Sequence, residues 1–407
     1  MSDEVSNNQV ELKHWEGVFL LGFVTMTLSV GFELLFGYRV RMAMLGLGFL
    51  GVMVPLLVNL PQSLRSVTVW VCLAGFALIE GLSFVQGHNV FDGRILVFRV
   101  MCYLIFLSGL SVQLFEGKVF SRPILQCAGY LCFAAVAVSV VGLRGFDISQ
   151  GGRFTGSENM HSVGLSYSFG LGGVVAAYLA IANRSLLARI ASIIAMTGCL
   201  FVLFVSGSRG GLLSSLAGIL LVFAYAIWNG QIRNKDLAGV LAAALVGVLI
   251  SSFYLAGKWA YVEERVLYVF ERFEGAIDNQ FDNSISERYL LNRVYFSDIE
   301  NLFPFGYWGY SNDYPHNIFL EFVVRWGIFG ILLGLALYAL FAFSVFLPLK
   351  KRNKTNSVML LFLALFAFSF INGQFNLSLE FNRGMWFPAG FFLAVALRSP
   401  FERDDIS

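Results

Sequence analysis

The sequence predicts an all-α fold: a polytopic membrane protein of about twelve transmembrane helices, with one long polar loop outside the bilayer that carries short amphipathic helices. Three observations predict it. Hydrophobic residues make up 57% of the 407 residues and charged ones only 13%, with a mean hydropathy of +0.72, which is too little charge to cover a soluble surface of this size. Apolar runs close to the roughly 20 residues needed to cross a bilayer recur along the chain. Phenylalanine is frequent (42 residues) and proline scarce (8), as in a bundle of membrane helices.

In chain order, the spans are expected at 18–36, 42–60, 66–84, 95–115, 123–142, 162–182, 189–206, 211–228, 237–256, 326–347, 357–371 and 385–398. The first follows a polar start of about seventeen residues with no small-residue cleavage site after it, so it reads as an uncleaved helix and not a signal peptide. No internal repeat and no linker is evident, so residues 1–407 are expected to form one membrane domain. The five cysteines (Cys72, Cys102, Cys127, Cys132 and Cys199) all fall inside apolar spans without a CxxC pair, which suits packing and not metal binding.

Basic residues sit in alternate short loops: Lys118 and Arg122, Arg184 and Arg189, Arg233 and Lys235, then the run Lys350 to Lys354. Positive loops face the cytosol, which places both termini there. Arg39 and Arg41 go against this pattern. The opposite side then holds 85–94, 143–161, the turn near 207–210, the long loop 257–314 inserted between spans nine and ten, and 372–384. Within the long loop, apolar residues recur at helical spacing over 261–276 and 286–299, as in helices that lie on a membrane surface. The ring-rich stretch 303–310 reads as a turn, either an interfacial belt or a platform for sugar or lipid. The apolar run from Pro315 to Leu347 is too long for one perpendicular crossing. A short helix over 315–327 is therefore expected, with the spanning helix following from about Gly327. Asn317, Glu321 and Arg325 then share one face of the short helix.

Polar groups near lipid must be used or paired. Four sets on the outer side qualify. His316, beside Asn317, is one of only four histidines, and its imidazole can accept a proton near neutral pH. Arg209 lies in a short turn with glycine and serine on both sides, where backbone N–H groups at a helix start would reinforce an anion site. Arg288 can chelate an anion with two parallel donors, or pair with Asp282 or Glu287. Arg153 could contact an anion and Asn159 a sugar hydroxyl, or both could belong to a solvated loop. Inside the bundle, Glu33, Glu80 and Arg99 call for partners; Glu80 with Arg99 is the simple pairing, and a proton or ion path is the alternative. No basic run with interleaved aromatics points to nucleic acid. Neither HExxH, a Walker loop, GxSxG nor a DxD pair occurs, which argues against nucleotide-sugar transfer and metal catalysis.

Taken in order, GRFTGxxN (152–159), SGSRGG (206–211), SxSxR (284–288), the Pro304-x-Gly306 turn and PHNIFLEFVVRWGIFG (315–330) resemble the O-antigen polymerase and ligase superfamily over roughly residues 150–350. The resemblance implies metal-independent, inverting glycosyl transfer on the periplasmic face of a bacterial inner membrane, with no cofactor. The donor is an oligosaccharide on undecaprenyl diphosphate, and the acceptor is a second lipid-linked repeat (polymerase) or lipid A core (ligase). Lipid is then a partner, with a polysaccharide chain-length regulator as a further candidate partner. By motif, His316 would be the general base. Arg209, Arg288 and Arg153 would bind the diphosphate, and Tyr314, Asn317 and Asn159 would line the substrate site. Tyr-Pro-His-Asn without a second histidine looks more like the polymerases. A lipid-linked glycan flippase is the non-enzymatic rival; the lack of an internal repeat speaks against it.

Overall fold

A computed structural model describes residues 38–86, 93–112, 162–183, 185–205, 208–228, 317–350, 357–375 and 382–398, together with 18, 19, 22, 25, 26, 293, 295, 297, 300, 303–306 and 315. Among the described residues the secondary structure is helical throughout, with no strand. The helices are α1 (Tyr38–Val58), α2 (Leu60–Ser63), α3 (Val67–Gln86), α4 (Gly93–Ser111), α5 (Ser162–Ala182), α6 (Leu186–Val205), α7 (Arg209–Trp228), α8 (Ile318–Lys350), α9 (Ser357–Gly373) and α10 (Arg383–Arg398). The expected spans 123–142 and 237–256 and the amphipathic segment 261–276 lie outside the described residues. So does most of the expected first span, of which Val18, Phe19, Gly22, Thr25 and Met26 are helical.

Two of these helices, Arg209–Trp228 and the run Ile318–Leu347, are long and apolar enough to cross a membrane. The shorter apolar stretches include Met42–Val58, Leu96–Ser111 and Ser166–Ala182.

The chain divides into two compact units that interleave along the sequence. One takes 1–55, 118–270 and 347–368; the other takes 56–117, 271–346 and 369–407.

In the first unit α5 is the central helix. Every residue from Ser166 to Ala180 is buried, as expected for a helix apolar all round. It packs against α6 and α7. Small residues let the backbones approach: a Cβ on Gly218 of α7 would meet Val174 Cγ2 of α5 at 2.8 Å and the Ala364 carbonyl of α9 at 3.2 Å. Tyr167 lies against Phe368 of α9, with ring centroids 5.4 Å apart.

In the second unit α4 and α10 cross through a reciprocal pair of glycines. A Cβ on Gly109 would overlap the Phe387 carbonyl, and one on Gly390 would overlap that of Phe106. The same unit contains the break in α8. Gly327 has φ 55° and ψ −124°, outside any helical region and close to the first corner of a type II′ turn. The apolar run therefore splits where its excess length predicts.

The break reverses the chain. A Cβ on Gly330 would collide with the Phe322 carbonyl, eight residues earlier. The Phe319 ring stands edge-on to Tyr338 at 5.9 Å. In a straight helix those two residues would be roughly 28 Å apart. So α8 is a hairpin: a short limb, Ile318 to Trp326, folds back along the first turns of a longer one, Ile328 to Lys350. The Phe303-Pro304-Phe305 turn braces the bend. The Pro304 carbonyl accepts the Ile328 N–H at 2.9 Å, and Phe305 stacks on Phe329 at 6.0 Å. Gly306, at φ 80°, lies so close to the Arg325 backbone that a Cβ would overlap it.

Candidate functional site

The short limb of α8 carries the candidate site at its first residue. Asn317 is the N-cap: its Oδ1 accepts the Leu320 N–H at 3.0 Å and its carbonyl accepts the Glu321 N–H at 2.9 Å. Its Nδ2 donates to Gln374 Oε1 at 3.3 Å, and the Tyr338 hydroxyl donates to the same oxygen at 2.8 Å. Gln374 Nε2 in turn donates to the Phe370 carbonyl. One glutamine at the end of α9 thus ties the mouth of the short limb to the middle of the long one. Tyr338 and Phe341 also pack on Phe370, with centroids 4.8 Å and 4.4 Å away. The mouth is therefore level with the last turn of α9. The ten or so residues of the long limb before Tyr338 run on past it by roughly 15 Å.

Polar groups farther along the limb are paired. Glu321 and Arg325 form an i,i+4 ion pair with both side chains buried, on the face that Asn317 begins. A buried pair of this kind lets a helix carry two charges among apolar neighbours as a near-neutral unit. Beside Asn317, Asn382 donates from Nδ2 to the Ser369 carbonyl at 2.7 Å, which holds the start of α10 against α9.

At the tip of the limb, Trp326 meets a second charged group. Arg99 of α4 donates from Nη1 to Glu80 Oε2 of α3 at 2.8 Å, and the Tyr103 hydroxyl donates to Glu80 Oε1. The Arg99 guanidinium lies 5.7 Å from the Trp326 ring centroid, a cation–π contact. Arg99 is 4% exposed. Trp326 Nε1 is buried with no hydrogen-bond partner among the described residues, where the ring is held through its face.

Between these groups lies an apolar cavity of about 300 Å³. Val71, Gly75 and Ile79 of α3 line one side, and Phe322, Trp326, Ala336 and Leu340 of α8 are among those opposite.

Of the residues expected to form the substrate site, Asn317 and Arg209 are described. Arg209 is the first residue of α7 and is partly exposed. The turn before it is short, because α6 ends at Val205. Gly210 and Gly211 are buried, and a Cβ on Gly211 would meet Ser166 of α5 at 2.7 Å. Arg209 belongs to the first unit and Asn317 to the second. His316, Tyr314, Arg288, Arg153 and Asn159 lie outside the described residues, as does Glu33. The Glu80–Arg99 pairing is present.

Sequence reasoning missed Gln374, Tyr338 and Trp326. The first two had a faint signal, a polar group at or inside the end of an apolar run. Their convergence on Asn317 had none, because it joins positions 57 and 36 residues apart in sequence.

No protein-family model, curated protein or solved structure matches the chain.

Proposed function

We propose that the chain is a membrane glycosyltransferase that polymerises oligosaccharide repeats carried on a polyprenyl diphosphate, working at the outer face of a bacterial inner membrane. The observation that carries this reading is the hairpin of α8. It places the residue after His316 as the cap of a short, tethered helix, level with the end of α9. The basic run Lys350 to Lys354 follows the far end of the long limb, so the bend at Gly327 lies farthest from the cytosol if that run lies inside, with the mouth part-way along the long limb at Tyr338. The ordered motifs from residue 152 to 330 supply the family likeness.

On this reading the acceptor sugar hydroxyl attacks the anomeric carbon of the donor. The bond from that carbon to the diphosphate oxygen breaks, and the lipid diphosphate leaves with the electron pair. The hydroxyl proton passes to the His316 imidazole. Arg209 and Arg288, with Arg153, stabilise the charge that builds on the diphosphate oxygens. One displacement inverts the anomeric centre. Transfer to lipid A core, as in the ligases, differs only in the acceptor. For a flippase, Glu80 and Arg99 would have to serve ion transport, but their pairing with each other, Tyr103 and Trp326 accounts for them structurally.

The test is polymerisation of purified lipid-linked repeats in detergent without an ion gradient. His316→Ala is expected to lower the rate by about 10²–10⁴-fold, the usual contribution of a general base. Arg209→Lys and Arg288→Lys are expected to stay as inactive as the alanine variants, because a point charge cannot make the forked contact. Turnover retained in His316→Ala removes the assigned base. Transport of the lipid-linked repeat with no new glycosidic bond removes the enzyme.

A further inference from the structure

Both ends of the Asn317 side-chain amide are engaged: Oδ1 caps Leu320 and Nδ2 donates to Gln374 Oε1. The plane of that amide is therefore set from two sides. Gln374 is set as well. An amide oxygen has two lone pairs, and Gln374 Oε1 receives two donors, Asn317 Nδ2 at 3.3 Å and the Tyr338 hydroxyl at 2.8 Å. Its Nε2 turns back onto the Phe370 carbonyl of its own helix at 3.3 Å. An oxygen filled in this way holds its neighbours in place and has no lone pair left for a substrate. The residue before Gln374 makes a second contact with the same limb. A Cβ on Gly373, the last residue of α9, would meet Ile318 Cδ1 at 3.1 Å and Ile318 Cβ at 3.6 Å. The same Cβ would meet Asn382 Nδ2 at 2.8 Å, so the close fit needs glycine. Two consecutive residues at the end of α9 thus seat two consecutive residues of the limb, Gly373 against Ile318 and Gln374 against Asn317. Successive side chains of a helix point about 100° apart, so this pair of contacts fixes the rotation of the first turn as well as its place.

We propose that Gln374, with Tyr338 behind it, is a positioning residue for His316. The inference rests on the function proposed above. His316 is joined to Asn317 by one peptide bond, so the clamp on Asn317 sets where the base begins. Gln374 touches no reacting atom and acts through that joint. A base must lie within hydrogen-bond reach of the hydroxyl it deprotonates, and a displacement of about 1 Å costs on the order of 100-fold in rate.

The test uses the full-length protein in detergent with purified lipid-linked repeats. Gln374→Met keeps an unbranched side chain and removes both accepted bonds. Its kcat is expected to fall about 10- to 100-fold, with KM changed by less than about twofold. Gln374→Glu keeps an oxygen for both donors and should recover most of the loss. Tyr338→Phe removes one donor while its ring contacts remain, and carries the same comparison should Gln374→Met fail to fold, with kcat lowered about threefold. In a His316→Ala background, Gln374→Met should change the residual rate by less than about twofold, because the group it positions is gone. A readout without turnover is the Ile318 δ1-methyl, which should become more mobile by NMR in Gln374→Met. A raised KM at unchanged kcat would make Gln374 a substrate contact and overturns the proposal. So does the same fold loss with and without His316, or an unchanged Ile318 methyl. Turnover retained in His316→Ala, with the methyl loosened in Gln374→Met, keeps the clamp and removes the base.

Discussion

Replacing Gly327 with alanine should unbend α8. At φ 55° and ψ −124° an L-residue is strained, at a cost of about 1–3 kcal/mol. The alternative to the bend is a continuous helix, in which alanine is about 1 kcal/mol better than glycine. The two effects add in the same direction, so the balance between hairpin and straight helix shifts by about 2–4 kcal/mol, or roughly 30- to 1,000-fold. The bend is also held by the Pro304 carbonyl, the Phe305–Phe329 stack and the Arg99–Trp326 contact, which oppose the change. Spin labels at 319 and 338 on a cysteine-free background report the outcome. The wild-type hairpin brings these positions together, with ring centroids 5.9 Å apart; a straight helix separates them by roughly 28 Å. A second, long distance population is expected in Gly327→Ala. If the variant shows only the short distance, at unchanged thermal stability, then neither the turn geometry nor the helix preference of alanine governs this segment.

Three further outcomes follow from the packing. Arg99→Met removes the cation paired with the half-buried Glu80 carboxylate and should cost about 1–3 kcal/mol, whereas Arg99→Met with Glu80→Gln should recover part of the loss; thermal melts in detergent check this, and a double variant less stable than the single one contradicts it. Asn317→Ala removes a helix cap and should cost about 1 kcal/mol, while Asn317→Asp keeps the cap and loses only the donor to Gln374; amide exchange at Leu320 should speed up in the first and stay slow in the second. Gly218→Val meets Val174 and Ala364 and should destabilise by about 1–3 kcal/mol, whereas Gly46→Ala, with open space around it, should not destabilise; equal melting points for the two variants would count against close α5–α7 packing.

Much of the helical framework was legible in the sequence because length and apolarity alone set it. The expected 162–182 is matched by Ser162–Ala182, and 357–371 by Ser357–Gly373. The break near Gly327 was legible for the same reason: the run was longer than one crossing, and glycine was the residue able to turn it. Glu321 and Arg325 shared a face by simple periodicity and are paired. Glu80 and Arg99 could be matched because two opposite charges in apolar helices have few other options. What periodicity cannot supply is which surfaces meet. The Pro304 turn was visible as a turn, but not that its carbonyl would serve the amide left without a helical partner at Ile328. Gln374 looked like an ordinary loop residue, and only the fold brings Asn317 and Tyr338 to its one oxygen. Trp326 could be read as interfacial; its place over Arg99 depends on helices more than 200 residues earlier.

The short limb of α8 has about nine residues, below the roughly 12–15 at which an isolated helix becomes even marginally stable. Its own hydrogen bonds cannot hold it, so its position comes from the packing of its buried side chains and from its ends. The mouth is fixed by the Asn317 cap and Gln374, and the tip by Gly306, the Pro304 carbonyl and Arg99. Loosening either end alone leaves a helix that can pivot, and loosening both leaves no reason for it to form. The two ends should therefore be coupled: Asn317→Ala combined with Arg99→Met should cost more than the sum of the separate losses, because either tether alone still holds the limb and the double variant has neither. Strict additivity would mean that the limb is held by the burial of Phe322 and its apolar neighbours instead. A base placed before Asn317 would then owe its position to the core of the unit and not to these tethers.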